Sequence, residues 1–426
     1  MSEVTASWSR FSLIALCALS ACNWSNTPKP HSVNPMSGES LFADVQQYEA
    51  FGIHRAGTEG DRNTTEWVGR ELARAGFEVN LDPIRFNHFD LEFARFEMTG
   101  ESLECLPFWF PTATNGPVRA PLALIESEDL IGKIAVAQSS GTQWKLDPTD
   151  LALQAQEKGA LALAIVVPSP SGHVAAQNAR APFNQAPRGL PIMNLAWKHL
   201  DTVLEGAKNG TEATLEIRGE SNPNGKTENI VAKKVGSDEW IVITTPLTGW
   251  YTCAGERGPG VALFVGLARW LADQDLPSSV MFLGNAGHEL DHLGAGNTLE
   301  HNAPKPEEVK AWIHLGASIG TRDIQSNDAG ELVLSDEANA IGNLVATEAL
   351  LPQVTEAFSN VSFLKPRSTE PINGELRDFI NAGYNAFGFF GGCYYFHTPY
   401  DTDVSTTPEL LDQVATALKQ FLLELE

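Results

Sequence analysis

Apolar residues recur along this chain in two rhythms, and the change of rhythm divides it. Near the start, Asn63-Thr64-Thr65 precedes an apolar face of Trp67, Val68, Leu72 and Ala75 at helical spacing, so the polar trio reads as the cap of a helix that Gly76 stops. Residues Phe77 to Phe86 then continue as a strand. From about Gly100 to Ser221 the texture changes to short apolar runs divided by Pro and Gly. Within it, Ile134 to Ala137 predicts a strand, and Leu151 to Lys158 predicts a helix closed by Gly159. Leu161 to Val167 and Pro191 to Leu195 read as buried strands.

Beyond that stretch, strands and helices alternate. Trp240 to Thr245 predicts a strand, Val261 to Leu271 a helix, and Val280 to Leu283 and Ala311 to Ala317 further strands. A helix is expected near Ala338 to Leu350 and a strand at Asn385 to Phe390. The last helix has Thr407 as cap and Pro408 at its first position, with a stripe of Leu411, Val414, Leu418 and Leu422 for the sheet. This repetition implies an α/β fold with a largely parallel sheet, whose ligands bind beyond the carboxyl ends of the strands. No internal repeat or transmembrane segment shows in the pattern. With 426 residues, 43% of them hydrophobic, the chain can bury a large core and is expected to hold two domains.

Charge narrows the partners. A formal net charge of −24 argues against nucleic acid and anionic lipid, which would be repelled; it also keeps an exported protein soluble. Arg10 precedes an apolar run from Phe11 to Ala21 that is too short to span a bilayer, so residues 1–21 read as a signal peptide. Leu19-Ser20-Ala21-Cys22 resembles a bacterial lipobox, which implies cleavage before Cys22, lipid on its thiol, and a membrane-anchored place in the bacterial cell envelope. The other reading is an ordinary secretory signal with an incidental cysteine. Residues 22–38, rich in Ser, Pro and Asn, form a tether. Export leaves Cys105, Cys253 and Cys393, an odd count that allows one disulfide and one leftover thiol.

One segment points to a known family. Phe396-His397-Thr398-Pro399-Tyr400-Asp401-Thr402 places a histidine after a strand-like run and before a Pro turn, as a metal ligand would be placed. The run resembles the C-terminal signature of clan MH zinc aminopeptidases, which include bacterial leucyl aminopeptidase and glutamate carboxypeptidase. His54-Arg55-Ala56-Gly57-Thr58 resembles that family's opening Arg-x-Gly-Thr turn. Residues 100–221 are similar in element order to the protease-associated domain, a β-rich module often inserted into these peptidases, either shaping access or serving structure alone. The resemblance implies a three-layer sandwich with a mostly parallel sheet. Residues 39–99 and 222–426 would form the peptidase-like domain, interrupted by the inserted domain at 100–221.

In that family two zinc ions share a bridging carboxylate; one is completed by Glu and a C-terminal His, the other by His and Asp. Carried over by local context, Glu256 falls at the bridging position, Glu289 at the ligand glutamate and His397 at the histidine. Pro246 stands where the other histidine would be, and Gly316 where the aspartate would be. The resemblance therefore implies one zinc, held by Glu256, Glu289 and His397 with an open fourth position. Glutaminyl cyclases of the same clan use a single zinc with two carboxylates and a histidine. His288 replaces the family's base glutamate, and a neutral imidazole near its reference pKa of about 6.5 can accept a proton from bound water. Other roles for His288 are metal ligation or simple hydrogen bonding.

Two further motifs read as decoys. His288-Glu289-Leu290-Asp291-His292 spells the zincin H-E-x-x-H, but Gly287, Gly294 and Gly296 leave little room for a helix presenting both rings, and His292 stays in reserve as a ligand. Gly316-Ala317-Ser318-Ile319-Gly320 spells G-x-S-x-G without the following helical pattern that a nucleophile elbow needs. Trp250, Tyr251, Tyr394 and Tyr395 lie beside the site segments as a candidate substrate wall. Arg257 either pairs with a substrate carboxylate or neutralises Glu256. Cys253 and Cys393 both precede site segments, which suggests a disulfide between them. The implied function is a lipid-anchored metallohydrolase acting on a peptide or small amide. Its alternatives are an inactive relative that binds peptides or a partner, and a glutaminyl-cyclase-like acyltransferase.

Overall fold

The structure, a computed structural model, describes residues 34–140, 146–179, 189–339, 342–368 and 370–425. Cys22, the signal peptide and most of the tether lie outside the described residues. At the centre of the sheet the strand Trp240–Pro246 runs parallel to Ser279–Asn285 on one side and to Val309–His314 on the other. Ala386–Phe390 continues the parallel set, and Asn343–Ala346 closes onto it antiparallel. Side chains alternate across this sheet as a period of two demands. Ile241, Ile243, Val280 and Phe282 join one core, while Val242, Met281 and Leu283 join another on the opposite face. The first face is covered by the helices Gly38–Ala50, Glu59–Arg74, Gly258–Leu271 and Pro408–Leu425; Leu293–His301 and Glu375–Asn381 lie on the second. The result is a mixed α/β fold in three layers with a mostly parallel central sheet.

Several expected elements changed length, each for a tertiary reason. The first expected helix begins at Glu59, where the Thr58 hydroxyl accepts from Asp61 N, so Thr64 and Thr65 lie inside it and are buried. The strand expected to end at Phe86 runs from Glu78 to Met98, because it pairs antiparallel with Glu212–Lys234 along nearly its whole length. Its polar residues Asn87, Asp90 and Glu92 would not have extended it on propensity alone. Among the described residues from Ala338 to Leu350 no helix forms. Leu332–Ala338 pairs with Arg322–Ser326 as a hairpin, Asn343–Ala346 enters the sheet, and the helix is confined to Leu351–Ala357 with Pro352 in its first turn. Leu344 and Ala346 face one core and Val345 the other, so tertiary burial makes this run a strand.

The long ribbon of Glu78–Met98 and Glu212–Lys234 carries the chain from the central sheet into a second group of strands. There Val118–Leu124, Ile134–Gln138, Ala162–Val167 and Ile192–Ala196 lie parallel in that order, with Cys105–Pro107 antiparallel at the edge. The helices Thr149–Glu157 and Leu200–Asn209 belong to this part. Its strands bury side chains into two cores, one on each face. Among the described residues no helix is long and apolar enough to cross a membrane.

Candidate functional site

A cavity of about 270 Å³ opens beyond the carboxyl ends of the parallel strands. Glu256, Arg257, His288, His314, Glu375 and His397 line it. The turns after three parallel strands deliver most of them, with His397 arriving on the loop after Ala386–Phe390.

Glu256 is fully buried on a turn held by Asp401. Gly255 N and Glu256 N donate to the two Asp401 oxygens at 3.1 and 2.9 Å, and Ser405 Oγ adds a third bond at 3.0 Å. Arg257 Nη2 lies 2.6 Å from Glu256 Oε1, and His397 Nε2 lies 3.4 Å from the same oxygen. The 2.6 Å approach is an ion pair without hydrogen-bond geometry: among the described residues neither Glu256 oxygen takes a hydrogen bond, and Arg257 Nε gives none. Burial works against the Glu256 charge, but Arg257 and His397 prevail and hold its pKa at about 2. Asp401 is the opposite case: burial and then the nearby Glu256 push it up to about 7. His397 has a positive φ of 60°, and its Nδ1–H donates at 2.9 Å to the carbonyl of Ala176, which follows the strand Ala162–Val167. That bond leaves Nε2 turned to Glu256.

Glu289 is also fully buried but faces elsewhere. Ala56 N donates to its Oε1 at 2.5 Å and Thr248 Oγ1 to its Oε2 at 2.8 Å. Ala56 is the second residue of the Arg-x-Gly-Thr turn, so that turn serves to hold this carboxylate. Burial raises the Glu289 pKa. Its neighbour His288 does face the cavity. His288 Nδ1 lies 3.0 Å from Glu375 Oε1, and Asn285 Nδ2 donates to Glu375 Oε2 at 2.9 Å. Burial, then the Arg257 charge, lowers the His288 pKa well below 6.5, so the ring is a neutral imidazole. His314 is likewise lowered to about 4 by burial, with Nδ1 3.0 Å from Thr244 Oγ1.

The two decoy motifs resolve differently. Asp291 and His292 both have φ near +59°, and a helix starts only at Leu293. The loop nevertheless curls back and stacks the His292 ring on His288 at 4.8 Å, with His292 Nδ1 paired to Asp378 at 2.5 Å. Ser318 is followed by the strand Arg322–Ser326 and no helix; its N–H donates to the Glu256 carbonyl, and it does not line the cavity.

The zinc ions implied by the family do not fit these residues. The carboxylate of Glu289 is taken up by Ala56 and Thr248 and stands outside the cavity lining, so it does not join Glu256 and His397. Glu256 already carries a guanidinium. At Gly316 a Cβ would lie 2.0 Å from the Phe389 carbonyl oxygen, so this backbone admits no side chain there at all. Pro246, at the position of the missing histidine, has no side-chain donor. Among the described residues no group of three or more His, Cys, Asp or Glu is placed to hold a metal ion.

Arg257 is the one expected substrate contact that lines the cavity. Trp250 is buried, donating its Nε1 to Asn178 Oδ1 at 2.8 Å and packing edge-on against Trp109. Tyr251 packs against the core that holds Trp109, Phe110 and Leu195, and its carbonyl accepts from His54 N. Tyr395 stands between Tyr394 and Tyr400. All three are outside the lining because the chain turns their rings into packing contacts. Cys253 and Cys393 are free thiols and not a disulfide: Cys253 Sγ sits 3.3 Å from Tyr48 OH, and Cys393 Sγ is 3.6 Å from Asp401 Oδ1. Sequence reasoning missed Glu375, His314, Asp401 and Asn178. Asp401 had a signal, an acid within the His397 run; Glu375 had none, because it reaches His288 from a helix far along the chain.

No family model matches the sequence, and no curated protein matches it. Solved structures do. A zinc aminopeptidase from Bacillus subtilis superposes with a TM-score of 0.71 at 18% identity, over 92% of this chain and 95% of that one. The aminopeptidase from Aneurinibacillus sp. strain AM-1 gives 0.67 at 16% identity, over 92% and 94%. A peptidase M28 precursor from Shewanella amazonensis SB2B gives 0.66 at 19%, over 92% and 96%. The chain therefore shares its fold with zinc aminopeptidases.

Proposed function

We propose that this chain is an exported, lipid-anchored protein of the bacterial cell envelope that binds a peptide or small amide in the pocket of a zinc-aminopeptidase fold. In this reading it does not run the family's two-ion hydrolysis. The observation that carries it is the state of Glu289: its two oxygens hold Ala56 N and Thr248 Oγ1, and it stands outside the cavity lining that includes Glu256 and His397. What remains suits recognition. Neutral imidazoles at His288 and His314 and the amide of Asn178 offer hydrogen bonds to a peptide group, and Phe389, Phe390 and Phe396 supply apolar wall. Arg377, half exposed in the lining, is placed for a ligand carboxylate. Calorimetric titration of zinc-free protein with short peptides tests this. Binding that persists in chelator and weakens in Arg377→Ala for acidic peptides is expected; no binding of any peptide would sink it.

A second reading, a hydrolase with His288 as base, is favoured by the Glu375–His288 pair. A carboxylate that accepts from Nδ1–H fixes the ring so that Nε2 can take a proton from water. Turnover of aminoacyl amides, falling by roughly two to four orders of magnitude in His288→Ala, would establish it. Pyroglutamate formation from N-terminal Gln peptides would instead mark an acyltransferase. One zinc per purified chain, lost in Glu289→Ala, would restore the metallohydrolase.

A further inference from the structure

Arg257 and Glu256 are almost wholly enclosed, with 1% and 0% of their side chains exposed. A guanidinium so placed is tolerated only beside a matched anion. It has one: Nη2 lies 2.6 Å from Glu256 Oε1, while Nη1 donates to the Gly316 carbonyl at 3.3 Å. The cationic group thus bridges the Glu256 turn and the turn after Val309–His314, facing the same cavity as His288 and His397.

We infer that Arg257 is the resident cation of this pocket and that its guanidinium bars divalent metal from Glu256 and His397. A metal ion on that carboxylate would sit within a few ångströms of a fixed positive charge in a poorly solvated place, where like-charge repulsion is strong. Arginine stays protonated at every pH a protein survives, so the barrier does not switch off. Gly316 cannot answer with a side chain, since its Cβ position is filled by the Phe389 carbonyl. This deepens the binding-protein reading and rests on it, yet the two fail separately: peptide titration probes the first, zinc titration the second.

The test is a titration with zinc alone, by calorimetry and thermal melting, on full-length chelator-treated protein. Wild type is expected to show no Glu256-dependent zinc binding and no melting shift with zinc. Arg257→Ser should gain weak, Glu256-dependent zinc binding, about tenfold or more over wild type, through Glu256, His397 and solvent, because the repelling charge is gone. Its melting temperature should rise with zinc, and Glu256→Gln in the same chain should abolish both gains. Arg257→Lys should keep zinc out. A wild-type zinc site that Glu256→Gln removes overturns the inference, as does a folded Arg257→Ser with no gain. If Arg257→Ser fails to fold, wild type and Arg257→Lys decide: uptake of zinc by either, lost with Glu256→Gln, refutes it.

Discussion

Gly316→Ala should destabilise the protein by about 3 kcal/mol or more, although it adds a single methyl group. The added Cβ would lie 2.0 Å from the Phe389 carbonyl oxygen and 3.1 Å from the His314 ring. Its obstacle is backbone in the strand Ala386–Phe390, so no side-chain rotation relieves it. An ordinary contact needs about 1.4 Å more, which must come from parting two strands that are themselves close: a Cβ on Gly388 would lie 2.5 Å from the His314 carbonyl oxygen. That is where His314↔Gly388 pairing ends and the cavity begins. The control is Gly296→Ala in the helix Leu293–His301, where a Cβ meets nothing within 4 Å and helix propensity favours alanine by up to about 1 kcal/mol. Urea unfolding of both variants beside wild type measures the two effects in one assay. A Gly316→Ala variant within about 1 kcal/mol of wild type would show that the strands separate easily, and the argument against an aspartate ligand at this position would fall with it.

Arg269 pairs with Asp44 at 2.6 Å and with Glu71 at 2.9 Å, joining three helices over one face, so Arg269→Met should cost about 3 kcal/mol by urea unfolding because both part-buried acids lose this cation, Glu71 keeping Arg74. Asp61 accepts from Gly57 N and Thr227 Oγ1, yet burial pushes it up to about 7. A raised folded pKa gives stability that is complete below the unfolded value and lost as pH rises toward 7. Relative to Asp61→Asn, wild type should therefore lose roughly 3 kcal/mol between pH 4 and pH 7, read from unfolding free energies at several pH values; parallel curves would refute it. Thiol labelling of the mature protein without reductant should find Cys105, Cys253 and Cys393 all free once unfolded and slow to react when folded, since burial pushes Cys105 up to about 12 and the other two well above their ordinary value. A Cys253–Cys393 peptide pair in non-reducing mapping would contradict the structure.

Local pattern carried the α/β alternation because periodicity and burial agreed. Trp240–Pro246, Gly258–Leu271 and Pro408–Leu425 formed within a few residues of their expected places, each having an apolar set of the right period and, for the last, a Thr-Pro start. Sequence alone also placed Glu256, His288 and His397 at one pocket, since turns at the ends of adjacent parallel strands must meet. Where local and tertiary preferences competed, it failed. The segment from Asn343 to Ala346 is a strand because both its faces are buried, and the ribbon to Met98 extends because a partner strand accompanies it.

Only the tertiary structure decided what the site residues do. Glu289 sits where a ligand is expected in sequence, but its rotamer answers to Ala56 and Thr248, which come from two other parts of the chain. Whether Arg257 faces a substrate or Glu256 is a matter of a few ångströms, and its burial beside an acid settles it in favour of Glu256. Residue type and spacing determine which groups can reach a pocket. The direction of each side chain, and hence whether three donors converge on one point, depends on hydrogen-bond partners distant in sequence, and those exist only once the chain has folded.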